Sequence, residues 1–202
     1  MKVRRRIGIC AAALWIASLP LSAAAFQTAD KREGAAKAAL TDAETAQLKA
    51  FSDRVKQYQK MEKALPADKL SPKSNVQELE QQRQALRDAL QQARPNAKQG
   101  DLFTADVAPV FRKLLRAAMS GPNGRKIRAS LNHAEPLGPQ DLKVNGVYPN
   151  VRGQPLQSVP PTLLLNLPPL PKGLEYRISD HTMALRDADA NMVVDYLPNA
   201  IP

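Results

Sequence analysis

Apolar and polar positions change rhythm along the chain, and each rhythm predicts its own element. From Ile7 to Ala25 the residues are almost continuously apolar, interrupted by Pro20. From Thr41 the pattern becomes periodic. Thr41-Asp42-Ala43-Glu44 reads as a capping box, in which the threonine hydroxyl and the glutamate carboxylate satisfy the orphan amides of a helix start. Leu48, Phe51, Val55, Tyr58, Met61 and Leu65 then recur at spacings of three and four, which draws one stripe down a helix that Pro66 stops. A connector with Pro66, Pro72 and Ser74 leads to a second helix from about Asn75, with Val76, Leu79, Leu86, Leu90 and Ala93 on one face and Arg83 in the middle of that stripe. Arg83 could meet a partner helix or lie along the stripe and reach water at its edge. Two such helices predict an antiparallel helical hairpin over residues 41–94, each covering the other's stripe. The same spacing also fits an intermolecular coiled coil, but each helix offers only about three heptads, which favours packing within the chain. Lys49 with Asp53 and Glu80 with Arg83 stand at helix-neighbour spacing.

Pro95 and Gly100 end the second helix. Thr104 is placed to cap a third over about 105–119, buried through Val107, Phe111, Leu114, Leu115 and Ala118, with Pro109 expected to bend its first turns. Gly121-Pro122-Asn123-Gly124 is a turn by composition, and a short helix comes next over about 125–132. Beyond His133 prolines accumulate, and long helices give way to turns. Leu174–Ser179, Thr182–Asp187 and Met192–Tyr196 are strand-like runs joined by Asp180-His181 and by Ala188 to Asn191, which predicts a three-stranded antiparallel β-meander within 174–197. Leu174, Tyr176, Ile178, Met183 and Leu185 alternate onto one face, which must lie on the helices and on the Leu163 to Leu170 stretch. The expected fold class is α+β: an N-terminal helical hairpin and further helices packed on a small C-terminal meander, with 95–202 as the α+β region.

The first segment alters the composition of the remaining chain. Lys2, Arg4, Arg5 and Arg6 precede the apolar run, and Ala23-Ala24-Ala25 ends it in small residues, so residues 1–25 read as a bacterial secretory signal peptide cleaved before Phe26. An uncleaved anchor is the alternative, since Ile7 to Ala25 approaches the length of a bilayer span, and Pro20 with the small-residue end argues against it. Cys10 follows Ile9, where a lipobox needs a small residue, and the twin-arginine motif is absent after Arg6. Residues 26–40 read as a flexible leader. Cleavage removes the only Cys and the only Trp, and the formal charge falls from +10 to +6. The mature chain, periplasmic or secreted, therefore carries no disulfide, thiolate metal site or cysteine nucleophile.

Candidate chemistry is sparse. Asp187-Ala188-Asp189-Ala190-Asn191 begins like a calcium loop, yet Met192 and Pro198 stand where the EF-hand pattern needs Gly and Glu, and Asp and Asn make good hairpin turns by themselves. His133 and His181 are far apart, with no His or Cys at ligand spacing, so a metal site or a hydrolase would have to be gathered from scattered groups. No cofactor motif, catalytic grouping or metal ligand set emerges. Arg112, Lys113, Arg116, Arg125, Lys126 and Arg128 lie in a stretch without acids and form a candidate anion-binding patch, for anionic lipid or polysaccharide rather than nucleic acid, which would call for stacking aromatics as well. The alternative reading is a solvated helix face. Pro168-Pro169-Leu170-Pro171 could form a polyproline docking ligand, but the neighbouring leucines favour a packed linker between helices and sheet.

Lys143-Val144-Asn145, Tyr148-Pro149, Pro160-Pro161, Leu163-Leu164, Leu167-Pro168, Leu170-Pro171, Leu174-Glu175-Tyr176-Arg177, Ala190-Asn191 and Val194-Asp195 together make a block that resembles one in uncharacterised exported bacterial proteins. Ala97 to Asp101 with Phe103 is similar too, so the likeness covers roughly 90–202. It implies a shared fold and brings no activity. The functional expectation is a non-enzymatic structural or protein-interaction role in the cell envelope, through an envelope partner or self-association. The rival readings are a binding module for anionic envelope material through residues 112–128, and a hydrolase with a scattered site.

Overall fold

Thr41 opens the first helix as its spacing predicts. In the computed structural model, which describes residues 38–66, 74–132, 137–149 and 159–201, the Thr41 hydroxyl accepts from the Glu44 amide at 3.2 Å and the Glu44 carboxylate accepts from the Thr41 amide at 2.8 Å. Residues 1–37, read from the sequence as an export signal and most of a leader, residues 67–73, His133 to Pro136, residues 150–158 and Pro202 lie outside the described residues. Helix α1 spans Asp42–Ala64 and ends at Leu65 and Pro66. Asn75 and Glu78 form a second capping box at the start of α2, Val76–Ala93.

The buried faces of these helices are narrower than their stripes. Phe51, Val55 and Tyr58 are buried on α1, and only Leu86 and Leu90 on α2. Val76, expected inside, is 80% exposed in the first turn of α2, and Ala93 is exposed as well. The helices are also part of the main body of the fold. Phe51, Val55, Tyr58, Leu86 and Leu90 belong to one core with the third helix and the sheet, and Ala38 and Leu40, from the segment read in the sequence as a flexible leader, lie against that core. Long-range bonds tie both helices down: Arg54 to the Leu102 carbonyl, Gln59 to that of Lys172, Arg87 to that of Ala190 and Arg94 to that of Val194.

Helix α3 spans Ala108–Ser120 and begins later than Thr104 suggested. The Thr104 carbonyl accepts the Val107 and Ala108 amides in a preceding turn, and Val107 is the capping position. Pro109 falls in the first helical turn, where an amide has no partner to lose, so it opens the helix instead of bending it. The turn at 121–124 leads into α4, Gly124–Leu131. A side chain at Gly124 is forbidden, because its Cβ would stand 1.8 Å from the Met119 carbonyl oxygen. A single 3₁₀ turn at Pro139–Asp141 and one turn of helix, α5, at Pro161–Leu164 complete the helical part.

The meander is present with the expected runs: β1 Leu174–Ser179, β2 Thr182–Asp187 and β3 Met192–Leu197, antiparallel in that order. Tyr176 pairs with Leu185 and Ile178 with Met183, which puts the predicted apolar set on one face. Asp180 and Asn191 hold the connecting turns at φ of 48° and 47°, a left-handed conformation these residues tolerate. The register shifts at Leu185/Arg186, a bulge on β3 that adds twist.

Two features were not expected. Residues 145–148 pair with the start of β3, Asn145 and Tyr148 donating to the Val193 and Asn191 carbonyls and Val193 donating back to Gly146, each at 2.9 Å. The second sheet face is also covered, by a smaller cluster of Leu137, Leu142, Tyr148, Ala184 and Val193. On the main face Phe51, Phe103 and Phe111 interlock at centroid distances of 4.8 to 5.3 Å, with Tyr176 at 6.1 Å from Phe111.

Beside this cluster Asp195 is completely buried. Its carboxylate accepts the amides of Gly100, Leu102, Phe103 and Tyr196 at 2.7 to 2.9 Å. Burial pushes its pKa up, and the four amides oppose that. Asp195→Ala leaves several buried donors unpaired and is expected to cost about 3 kcal/mol or more, read as a lower urea midpoint at unchanged slope.

Candidate functional site: an apolar ledge beside the sheet

Proline punctuation builds the most unusual surface of the described chain. Pro160 and Pro161 pre-set the backbone for a helix start, and the Leu163, Leu164 and Leu165 amides close onto the carbonyls of Pro160 and Pro161 at 2.9 to 3.1 Å. Pro168 and Pro169 prevent continuation. A single turn can direct only part of an apolar run inward. Leu163 and Leu167, four residues apart, are buried, while Leu164 and Leu165 stand 40% and 75% exposed.

Open grooves flank this ledge. One, of about 360 Å³, runs beside β1 between Val159, Leu164, Pro168, Leu170, Leu174 and Tyr176, with Glu175 and Arg177 also in its wall. The Tyr176 hydroxyl donates to the Pro168 carbonyl at 3.0 Å and pins the proline segment as its far wall. The other, of about 350 Å³, lies between Ala38, Leu40, Leu48, Leu114, Leu165 and Leu167, so α1, α3 and the turn after α5 all contribute. Leu164 and Leu165 were expected in a packed linker, and that reading holds for Leu163 and Leu167. The signal that separates them is the brevity of a helix bracketed by proline pairs.

The basic segment divides in two. The Arg112 guanidinium donates to the Pro198 and Asn199 carbonyls at 2.9 Å and holds the end of β3. Lys113 bonds the Glu44 carboxylate at 2.8 Å, and this bond above all holds Glu44 below its ordinary pKa. Arg128 donates to the Met119 carbonyl at the end of α3. Arg116, Arg125 and Lys126 are exposed. Arg128 is exposed as well, so four of the six residues face solvent, while Arg112, Lys113 and Arg128 each bond a carbonyl or a carboxylate of the fold.

The other singled-out groups are structural in their described surroundings. Asp187 accepts from the Tyr58 hydroxyl and the Ala190 amide, both at 2.8 Å, and the Asn191 side-chain oxygen accepts from Arg186, so the calcium-like run is a hydrogen-bonded turn. The Tyr58 hydroxyl is held far above its usual pKa by burial and by Asp187. The His181 side chain is more than half exposed, with Nδ1 at 3.1 Å from the Ile201 carbonyl and Nε2 at 3.6 Å from Asp180. Among the described residues no group of three or more His, Cys, Asp or Glu is arranged to hold a metal ion, and no helix is long and apolar enough to cross a membrane. Arg83 pairs with Glu80 at 2.7 Å on its own helix.

The fold and surface thus define an α+β protein with a compact aromatic core and an apolar ledge. No family model, no curated protein and no solved structure matches the chain.

The division of the basic segment is testable by stability. Arg112→Gln removes the bonds to Pro198 and Asn199 and is expected to cost about 1–2 kcal/mol, whereas Arg116→Gln, Arg125→Gln and Lys126→Gln should each stay within about 0.5 kcal/mol of the parent in chemical denaturation.

Proposed function

We propose that this chain is an exported bacterial protein without enzymatic activity that acts in the cell envelope by protein contact, and that its contact is with a second copy of itself through the α5 ledge. The observation that carries the reading is the pair of exposed leucines, Leu164 and Leu165, set between two grooves lined mainly by apolar residues, with Glu175 and Arg177 in one wall and Lys49, Ser52 and Asn166 in the other. Apolar surface concentrated in this way is costly to leave in water. A ridge and a groove side by side on one face form a self-complementary surface, because a two-fold axis places the ridge of each copy in the groove of the other. Helices α1 and α2, which the sequence offered as a hairpin contact surface, bury their principal apolar residues in the core they share with α3 and the sheet and leave less to offer. Export rests on the basic and apolar pattern of residues 1–25.

Light scattering on the protein eluted from a sizing column tests the contact. The parent is expected at dimer mass, and Leu164→Glu combined with Leu165→Glu at monomer mass with unchanged circular dichroism. A parent that remains monomeric at its highest soluble concentration refutes self-association. Export is tested separately by N-terminal sequencing of protein collected outside the cytoplasm, which should begin at Phe26. Intact polypeptide retaining Met1 and confined to the cytosol would overturn it.

A further inference from the structure

An asparagine followed by glycine exposes its side-chain carboxamide to attack by the next main-chain nitrogen, because glycine has no Cβ to shield that nitrogen. The chain contains this dipeptide twice, at Asn123-Gly124 and at Asn145-Gly146, and the fold treats the two in opposite ways. Asn145 is clasped. Its Oδ1 accepts from the Arg94 guanidinium at 3.0 Å, and its Nδ2 donates to the Arg94 carbonyl at 2.8 Å. Its amide donates to the Val193 carbonyl at 2.9 Å, its carbonyl accepts from Gln91 at 2.8 Å, and the Gly146 amide donates to the Lys143 carbonyl at 2.8 Å. To meet the Gly146 nitrogen, the carboxamide would have to leave both Arg94 bonds and the nitrogen its bond to Lys143.

Asn123 is held far less. It occupies the capping position of α4 but its half-buried side chain makes no capping bond, and a single bond, to the Gly121 carbonyl at 2.8 Å, guards the Gly124 nitrogen. Glycine is obligatory at 124, since a Cβ there would stand 1.8 Å from the Met119 carbonyl oxygen, so the packing of α4 against the end of α3 forces the labile dipeptide into this turn. Exposed Arg125 and Lys126 follow at once, with no acid in the first turn of α4. Their charges and the free amides of the helix start favour negative charge developing on the Asn123 carboxamide oxygen and on a carboxylate product.

We propose that Asn123 is a site of spontaneous covalent modification, deamidation through a cyclic imide, and that the Arg94 clasp protects Asn145 from the same reaction. The Gly124 amide gives its proton to solvent, and its nitrogen attacks Asn123 Cγ. The N–Cγ bond forms, the Cγ–Nδ2 bond breaks, and the leaving nitrogen takes a proton from water and departs as ammonia. Water then opens the five-membered imide, at Cγ to leave an aspartate or at the main-chain carbonyl to leave an isoaspartate. The sum converts an amide and a water into a carboxylic acid and ammonia, with no change of oxidation state. Either product sets a carboxylate at the start of α4 beside Arg125 and Lys126, so the net charge of this exposed basic turn falls as the protein ages.

Folded protein aged in mildly alkaline buffer, then mapped by trypsin and mass spectrometry against unaged protein, reads both sites, because cleavage after Arg116, Arg125, Lys143 and Arg152 places them in separate peptides. Asn123 is expected to gain the mass of an amide-to-acid exchange at least ~10-fold faster than Asn145, and in denaturant the two should convert at comparable rates, since the difference lies in the cost of local opening. Arg94→Lys should bring the Asn145 rate toward that of Asn123. Asn123 left intact in the folded protein over the time in which it converts in denaturant, or equal rates at the two sites in the folded protein, overturns the proposal. A ratio of rates unmoved by Arg94→Lys overturns the protective role of Arg94.

Discussion

A carboxylate sealed from water holds the two halves of this fold in register. Burying an ionised Asp195 is tolerable only because four main-chain amides converge on it, and three of them come from the loop between α2 and α3. That loop carries Phe103, which stacks on Phe51 from α1 and meets Phe111 from α3 edge-on. One side chain on β3 therefore sets where the helical segment turns, and through Phe103 it sets how α1, α3 and the sheet share a core. Gly100, with φ of +91°, supplies the left-handed backbone at the start of that loop, a conformation most other residues resist.

The opposite face of the sheet is organised by charge rather than by apolar alternation. Arg177 and Arg186 place their guanidinium groups 5.7 and 5.5 Å from the centre of the Tyr148 ring, and Glu175 bonds Arg186 and lies 3.8 Å from Arg177. Tyr148 is brought there because residues 145–148 pair with β3, and its ring then covers Ala184 and Val193. Guanidinium groups suit this position, since they combine a flat face for the ring with donors for the carboxylate. The Glu and the Arg residues that alternation assigns to solvent are thus partly or wholly enclosed, with Arg177 5% exposed.

How much of this was legible in the residues depends on whether the determinant was local. The capping box at Thr41, the start of the second helix near Asn75, the stop at Pro66 and the strand boundaries set by Asp180 and Asn191 are decided within a few positions, and all are found in the structure. Asp195 reads only as a polar residue late in a strand, because its partners lie more than ninety positions earlier. Val76 reads as a core residue from its spacing, yet it sits in the first turn of α2 and stays exposed. The ledge fails the local reading for a further reason. A run of leucines signals burial, and only the length of α5, limited by its flanking prolines, reveals that half of the run has no interior to enter.

The distribution of polar partners explains why the α5 ledge, and not a buried polar cluster, carries the functional reading. Tyr58 and Asp187 hold α1 to the β2–β3 turn, Asp195 holds the loop before α3, Arg94 bonds Asn145 and Val194, and Arg112 holds the chain after β3. Each of these groups meets its principal needs inside the molecule, so none has a strong reason to recruit a ligand. Leu164 and Leu165 are the reverse case. Their side chains gain little from the present fold and would gain from any apolar surface that displaced water, and they are carried on a turn that proline keeps short and Leu163 and Leu167 anchor below. A ledge anchored in this way loses little conformational freedom on contact, which is the condition under which a small apolar surface can sustain a specific association.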